Sequence, residues 1–106
     1  MISIETGSGN VYADLAVADA SEMLVKARLA SKINQAIQAR GWTQQQAAKT
    51  LGISQAKLSG LLRGQFRGIS EAKMMDCLSL LGHRVQIVIT EQPALPIPAP
   101  VEVVFA

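Results

Sequence analysis

From position 20 to position 40 apolar side chains return every three or four residues. Met23, Val25, Leu29, Ala30, Ile33, Ala36 and Ile37 form one stripe, and Lys26, Arg28, Lys32 and Gln35 fall outside it. That period belongs to an α-helix with one buried face. The spacing predicts a long helix over about 20–40, capped by Asp19 or Ser21 and stopped by Gly41, with Val11, Tyr12 and Leu15 as a hydrophobic lead-in. Thr43 offers a hydroxyl N-cap for a second helix over Gln44–Leu51, and Trp42 just ahead of it suits a hydrophobic staple. Gly52 ends that helix in the left-handed conformation, Ile53 follows as the buried plug of the turn, and Ser54 caps a third helix running to Arg63. Leu58, Leu61 and Leu62 share one face of it. After a glycine-bounded loop, Gly64 to Gly68, Ser70 caps a further helix with Glu71 in its first turn and Met74, Met75, Leu78 and Leu81 as core members, ending near Gly82.

From His83 the period changes to two. Val85, Ile87 and Ile89 alternate with Gln86, Val88 and Thr90, which predicts a β-strand. A lone strand leaves its backbone donors and acceptors unmet, so it needs a partner: an N-terminal strand around Ile2 to Ile4, a tail strand over Val101 to Phe105, or its twofold mate in a second subunit. Pairing across a dimer is the arrangement expected here, with Val85, Ile87 and Ile89 as dimerisation residues. The prolines at 93, 96, 98 and 100 forbid helix and sheet interior. The organisation that follows is a flexible N-terminus over 1–10, one domain over 11–90 that includes the dimerisation strand, and a proline-rich tail over 91–106.

Composition narrows the fold class. Aromatic residues are 4% of the 106 residues while the apolar share is 49%, so the core must be built from aliphatic side chains and methionine, a palette for packed helices. No apolar run reaches the roughly 20 residues of a membrane span, and the first ten residues lack the basic-then-apolar order of a leader, so a cytoplasmic protein is expected. The single cysteine, Cys77, cannot form an internal disulfide and lies within an apolar helical pattern.

The net charge of +2 conceals a segregation. Between Glu22 and Glu71 there is no acidic residue, while Lys26, Arg28, Lys32, Arg40, Lys49, Lys57, Arg63 and Arg67 all lie there; the rest of the chain is net negative. An acid-free basic block over the two short central helices points to phosphate contact.

The segment WTQQQAAKTLGISQAKLSGLLRG carries the strongest signal. Counting Gln44 as the first position, Ala48 is the fifth, Gly52 the ninth, Leu58 the fifteenth and Leu61 the eighteenth. Small residues stand where two helices must meet closely, a glycine at the turn, and aliphatics on the buried face. It resembles the helix-turn-helix of the lambda-repressor-like, or XRE, family. The wider order of lead-in, long helix, helix-turn-helix, GxFxG loop, helix and GHRVQIVI strand resembles the HigA-type antitoxin subgroup. The resemblance spans about residues 11 to 90. It implies an all-α bundle of four to five helices, here with a C-terminal β-strand, and transcriptional repression by a homodimer on a palindromic double-stranded DNA operator. In the antitoxin branch it also implies neutralisation of a co-encoded toxin.

In that family the first residue of the leading helix donates to a DNA phosphate, the place Gln44 occupies here, and the following helix enters the major groove. Its exposed N-terminal residues would be Ser54, Gln55, Ala56, Lys57, Ser59 and Gly60. Gln55 is the expected base reader, because a carboxamide pairs bidentately with the N6 and N7 edge of adenine. Lys57 and Ser59 suit a base edge or a phosphate, Ala56 a thymine methyl, and Gly60 a close backbone approach. Arg63, Gln65 and Arg67 suit phosphate clamps.

Enzyme chemistry finds little support. One histidine, one cysteine and no carboxylate pair in the core supply neither an acid–base set nor a metal set, and no glycine-rich phosphate cradle is present, so no cofactor, no metal and no catalytic residue is expected. The competing class is a protein-binding adapter with a helix-turn-helix fold that does not bind DNA, against which the acid-free block counts.

Overall fold

A computed structural model of the chain describes the backbone of residues 10–91 and 101–106, with side chains from residue 20 onward. Four helices occur among these residues: α1 (Asn10–Arg40), α2 (Gln44–Leu51), α3 (Gln55–Leu62) and α4 (Glu71–Leu80). Two units divide the chain, Lys26–Gln86 on one hand and Met1–Val25 with Ile87–Ala106 on the other.

Local chemistry sets the helix ends as the spacing predicts. Thr43 Oγ1 accepts from the Gln46 N–H at 3.1 Å while Gln46 Oε1 accepts from the Thr43 N–H at 2.9 Å, a reciprocal capping box. Ser54 and Ser70 cap α3 and α4 by accepting from Lys57 N–H at 3.0 Å and Lys73 N–H at 3.1 Å. Each helix stops at a glycine of positive φ, at positions 41, 52, 64 and 82. The α4 end illustrates the motif: Gly82 N–H donates to Ser79 O at 3.0 Å and His83 N–H to Leu78 O at 2.9 Å, so carbonyls with no helical partner are satisfied by a backward turn that needs the left-handed region.

Within Lys26–Gln86, α2 packs against both α3 and α4. Ala47 and Ala48 are buried on α2, and their size lets the neighbouring helices approach; Ile33, Leu51, Leu58, Leu61, Met74 and Cys77 are the largest fully buried side chains. Burial pushes the Cys77 thiol above its ordinary value of 9.0, with Asp76 adding to the rise and Lys73 opposing it, so the thiol stays neutral. Arg40 ties the end of α1 to that of α4: its guanidinium donates to Leu81 O at 2.9 Å and lies over the Trp42 ring, 5.1 Å from the centroid.

Four expectations are corrected, and Trp42 is found in a further role. The first helix begins at Asn10 rather than near position 20, because VYADLAVADA contains no breaker and its alanines and leucine continue the helix once GSG is passed. Ile53 is half-buried rather than a sealed plug. Trp42 lies at the end of α1, where its N–H closes the turn on Ile37 O at 3.4 Å and Arg40 covers the ring. Lys26 is a core residue, 3% exposed, and not part of a solvated basic face. Finally, no β-strand occurs among the described residues: 83–91 is exposed, irregular chain there, because alternation along one segment makes a strand only where a paired neighbour completes the ladder. An N-terminal strand around Ile2 to Ile4, the flexible 1–10 segment and the prolines at 93–100 lie outside the described residues.

The second unit contributes the start of α1 and, among its described residues after α4, exposed apolar positions: Ile87, Val88 and Ile89 are 76%, 77% and 90% exposed, and Val101 and Val104 are exposed as well.

Candidate nucleic-acid interface

The turn Gly52–Ser54 joins α2 to α3 so that the aliphatic face of α3 is sealed, with Leu58 and Leu61 at 0% and 1% exposure. Burying that face forces the other outward. Ser54, Gln55, Ala56 and Lys57 are all exposed at the N-terminal end of α3, and neither the Gln55 nor the Lys57 side chain is held by a hydrogen bond or ion pair. Gln44 is exposed as the first residue of α2, at a helix start where backbone N–H groups and the helix dipole favour an anion.

Ser59 and Gly60 behave otherwise than expected. Ser59 is half-buried, and its Oγ accepts from Arg63 Nη1 at 2.6 Å. Arg63 Nη2 donates to Gln65 Oε1 at 3.4 Å, so one guanidinium is oriented by two neutral acceptors and keeps other donors for a phosphate. Gly60 is buried beneath Gln65, whose Oε1 and Cβ lie 3.5 and 3.6 Å from where a glycine-60 Cβ would be, and its carbonyl accepts from the Gln65 N–H at 2.7 Å. A Cβ there would meet Gln65 at ordinary contact distance, so the loop lies directly against this position. Arg67 is exposed in the loop between α3 and α4, between the buried side chains of Phe66 and Ile69.

An open groove of about 540 Å³ runs beside α3, between Gly52, Ser54 and Lys57 on one side and Gly68, Ser70 and Lys73 on the other. The capped starts of α3 and α4 and two lysines thus border one concavity, a positive environment suited to a backbone phosphate. Sequence reasoning passed over Lys73, because it lies after Glu71, outside the acid-free block; only the fold brings it beside Lys57. Val85, Ile87 and Ile89 do not gather into this site. They stand exposed in the segment after α4. Among the described residues no group of three His, Cys, Asp or Glu side chains could hold a metal ion, and no helix is long and apolar enough to cross a membrane.

A short capped helix held by a glycine turn against its partner, with an uncovered polar end, defines a helix-turn-helix protein. Residues 11–90 match the family described as Helix-turn-helix domain. A solved structure described as an XRE family transcriptional regulator is similar at 38% identity and a TM-score of 0.76, over 83% of this chain and 99% of that one. No curated protein matches the chain. The chain belongs to the XRE-type helix-turn-helix family and is a DNA-binding transcriptional regulator.

Proposed function

We propose that the protein is a sequence-specific repressor, cytoplasmic and homodimeric, that binds a palindromic operator upstream of its own gene. The observation that carries this reading is the exposed N-terminal end of α3, Ser54 to Lys57, where the Gln55 and Lys57 side chains are unengaged, set among basic residues with no acid in the segment. In it, Gln55 reads a base edge, Ala56 meets a thymine methyl, Lys57 reaches a base or phosphate, and Gln44, Arg63 and Arg67 hold the DNA backbone. Ser54 serves chiefly as the cap that presents them, and Ser59 as an acceptor that aims Arg63.

Dimerisation through Arg84 to Thr90 is supported by the exposure of Ile87, Val88 and Ile89, an apolar run that soluble chains seldom leave open. Antiparallel pairing with a twofold mate would satisfy the backbone and place the recognition helices to meet half-sites about 34 Å apart. An antitoxin role goes with this reading on the strength of the subgroup resemblance and of the acidic residues Glu5, Asp14, Asp19 and Glu22, which a basic toxin could meet while the recognition helix stays on DNA.

Binding to the duplex upstream of its own reading frame, against a random duplex, is the test. Gln55→Ala should narrow the preference by roughly 1–3 kcal/mol, whereas Arg63→Ala should weaken both duplexes alike and flatten the salt dependence. Equal loss on both duplexes for Gln55→Ala would remove its role as reader. Loss of operator binding on neutralising Lys57 and Arg63, with circular dichroism unchanged, would decide for DNA binding over the adapter, whereas binding of neither duplex by the unsubstituted protein would favour the adapter. Unrelieved toxicity of a co-expressed neighbouring gene product would remove the antitoxin role and leave repression standing.

A further inference from the structure

We propose that Lys26 is a positioning residue for DNA binding: its buried ammonium fixes the main chain of the α3–α4 loop and so sets where Arg67 and the adjoining groove wall meet a phosphate. The proposal rests on the DNA-binding reading above. Lys26 belongs to the acid-free block, yet at 3% exposure it cannot touch a duplex. Its Nζ donates to the Arg67 carbonyl at 3.0 Å across 41 residues of sequence.

An aliphatic side chain would pack on this face of α1 as the lysine stem does, but it could not donate to a carbonyl. What the lysine adds is a fixed point. Phe66 and Ile69 anchor the loop on either side of Arg67 by burial, at 8% and 5% exposure, and the Ile69 N–H donates to Phe66 O at 3.1 Å. Between these anchors Lys26 holds the Arg67 carbonyl from the inside, while the Arg67 side chain is exposed on the outside. The next three residues, Gly68, Ile69 and Ser70, form the groove wall that faces Ser54 and Lys57. A shift of that carbonyl would therefore move Arg67 and the groove wall together relative to the recognition helix. Rigid support of this kind separates a productive contact from one set too loosely.

The test is a double-mutant cycle, Lys26→Met, Arg67→Ala and both together, reading affinity and its salt dependence on the duplex upstream of the gene and on a random duplex, with thermal midpoints in parallel. Lys26→Met should lose roughly tenfold in affinity and lower the salt slope by about 0.9, the worth of one phosphate contact, matching Arg67→Ala; the double variant should be no worse than either single one. If Lys26→Met does not fold by circular dichroism, Lys26→Leu carries the same cycle, again with no donor for the Arg67 carbonyl. Additive losses would overturn the proposal, as would a lowered thermal midpoint with affinity and slope unchanged, which marks a merely structural lysine. An unaltered slope in Arg67→Ala would overturn it too. Failure of the unsubstituted protein to bind either duplex would instead take away the DNA-binding reading, and this proposal with it.

Discussion

Residues 26–82 and residues 84–91 obey opposite rules. In the first, most large apolar side chains are covered, Leu80 at 53% exposure being an exception, every helix start from α2 onward has a hydroxyl cap, and every helix ends on a glycine that returns the chain on itself. In the second, apolar side chains alternate as in a strand but stand in the open, with Ile89 at 90% exposure. The difference teaches where a chain is self-sufficient. A helix satisfies its backbone locally, so 26–82 needs only its own core, whereas an extended segment satisfies its backbone only against a neighbour.

The largest test of that contrast substitutes one aliphatic residue in each region. Leu51→Ala, at 1% exposure, should cost about 2–5 kcal/mol in thermal or denaturant unfolding, through lost burial and a residual cavity. Ile87→Pro should leave helical circular dichroism intact while turning dimers into monomers by sedimentation and abolishing tight operator binding, because the ring removes a ladder donor. A proline variant that stays dimeric would show that 84–90 is not the dimer contact.

A smaller effect is expected at the glycine that precedes the open segment. Gly82→Ala should destabilise by about 1–2 kcal/mol, since φ is 89° and a Cβ there would come within 2.8 Å of Arg40 Nη2, a flexible side-chain end that can move but would loosen its bond to Leu81 O. Ser54→Ala should cost about 1 kcal/mol of stability as a lost cap, readable by denaturant titration, and should weaken DNA binding further by fraying the end of α3 that carries Gln55.

The smallest expected effect comes from Cys77. Its thiol titrates higher folded than unfolded, so its contribution to stability is complete below the ordinary thiol value of 9.0 and declines as pH rises from there through the folded value, where the unfolded chain sheds its proton first. Thermal midpoints should therefore fall above pH 9, and a Cys77→Ser variant should lose that part of the decline. A thiol reagent should react with Cys77 only as fast as the core opens.

Periodicity and turn chemistry made the helical frame legible. Thr43, Ser54 and Ser70 have hydroxyls at the right offsets, Gly41, Gly52 and Gly82 follow the last apolar position of each helix, and these are interactions over three to five residues that the order of residues determines directly. The exposed pair Gln55 and Lys57 follows from the same logic, since sealing Leu58 and Leu61 turns the opposite side of α3 outward. What the tertiary structure decided are relations between residues far apart in sequence. Lys26 looks like one more surface cation until α1 carries it beneath Arg67, 41 residues on. Gly60 looks like an opening for DNA until Gln65 folds over it, Phe66 and Ile69 look like loop residues until they enter the core, and Lys73 joins Lys57 only when α4 starts beside α3. Whether a charge meets solvent, a carbonyl or another charge depends on which helices pack together, and that depends on the whole set of buried faces at once; a pattern read along one helix holds no information about the neighbour that will cover it.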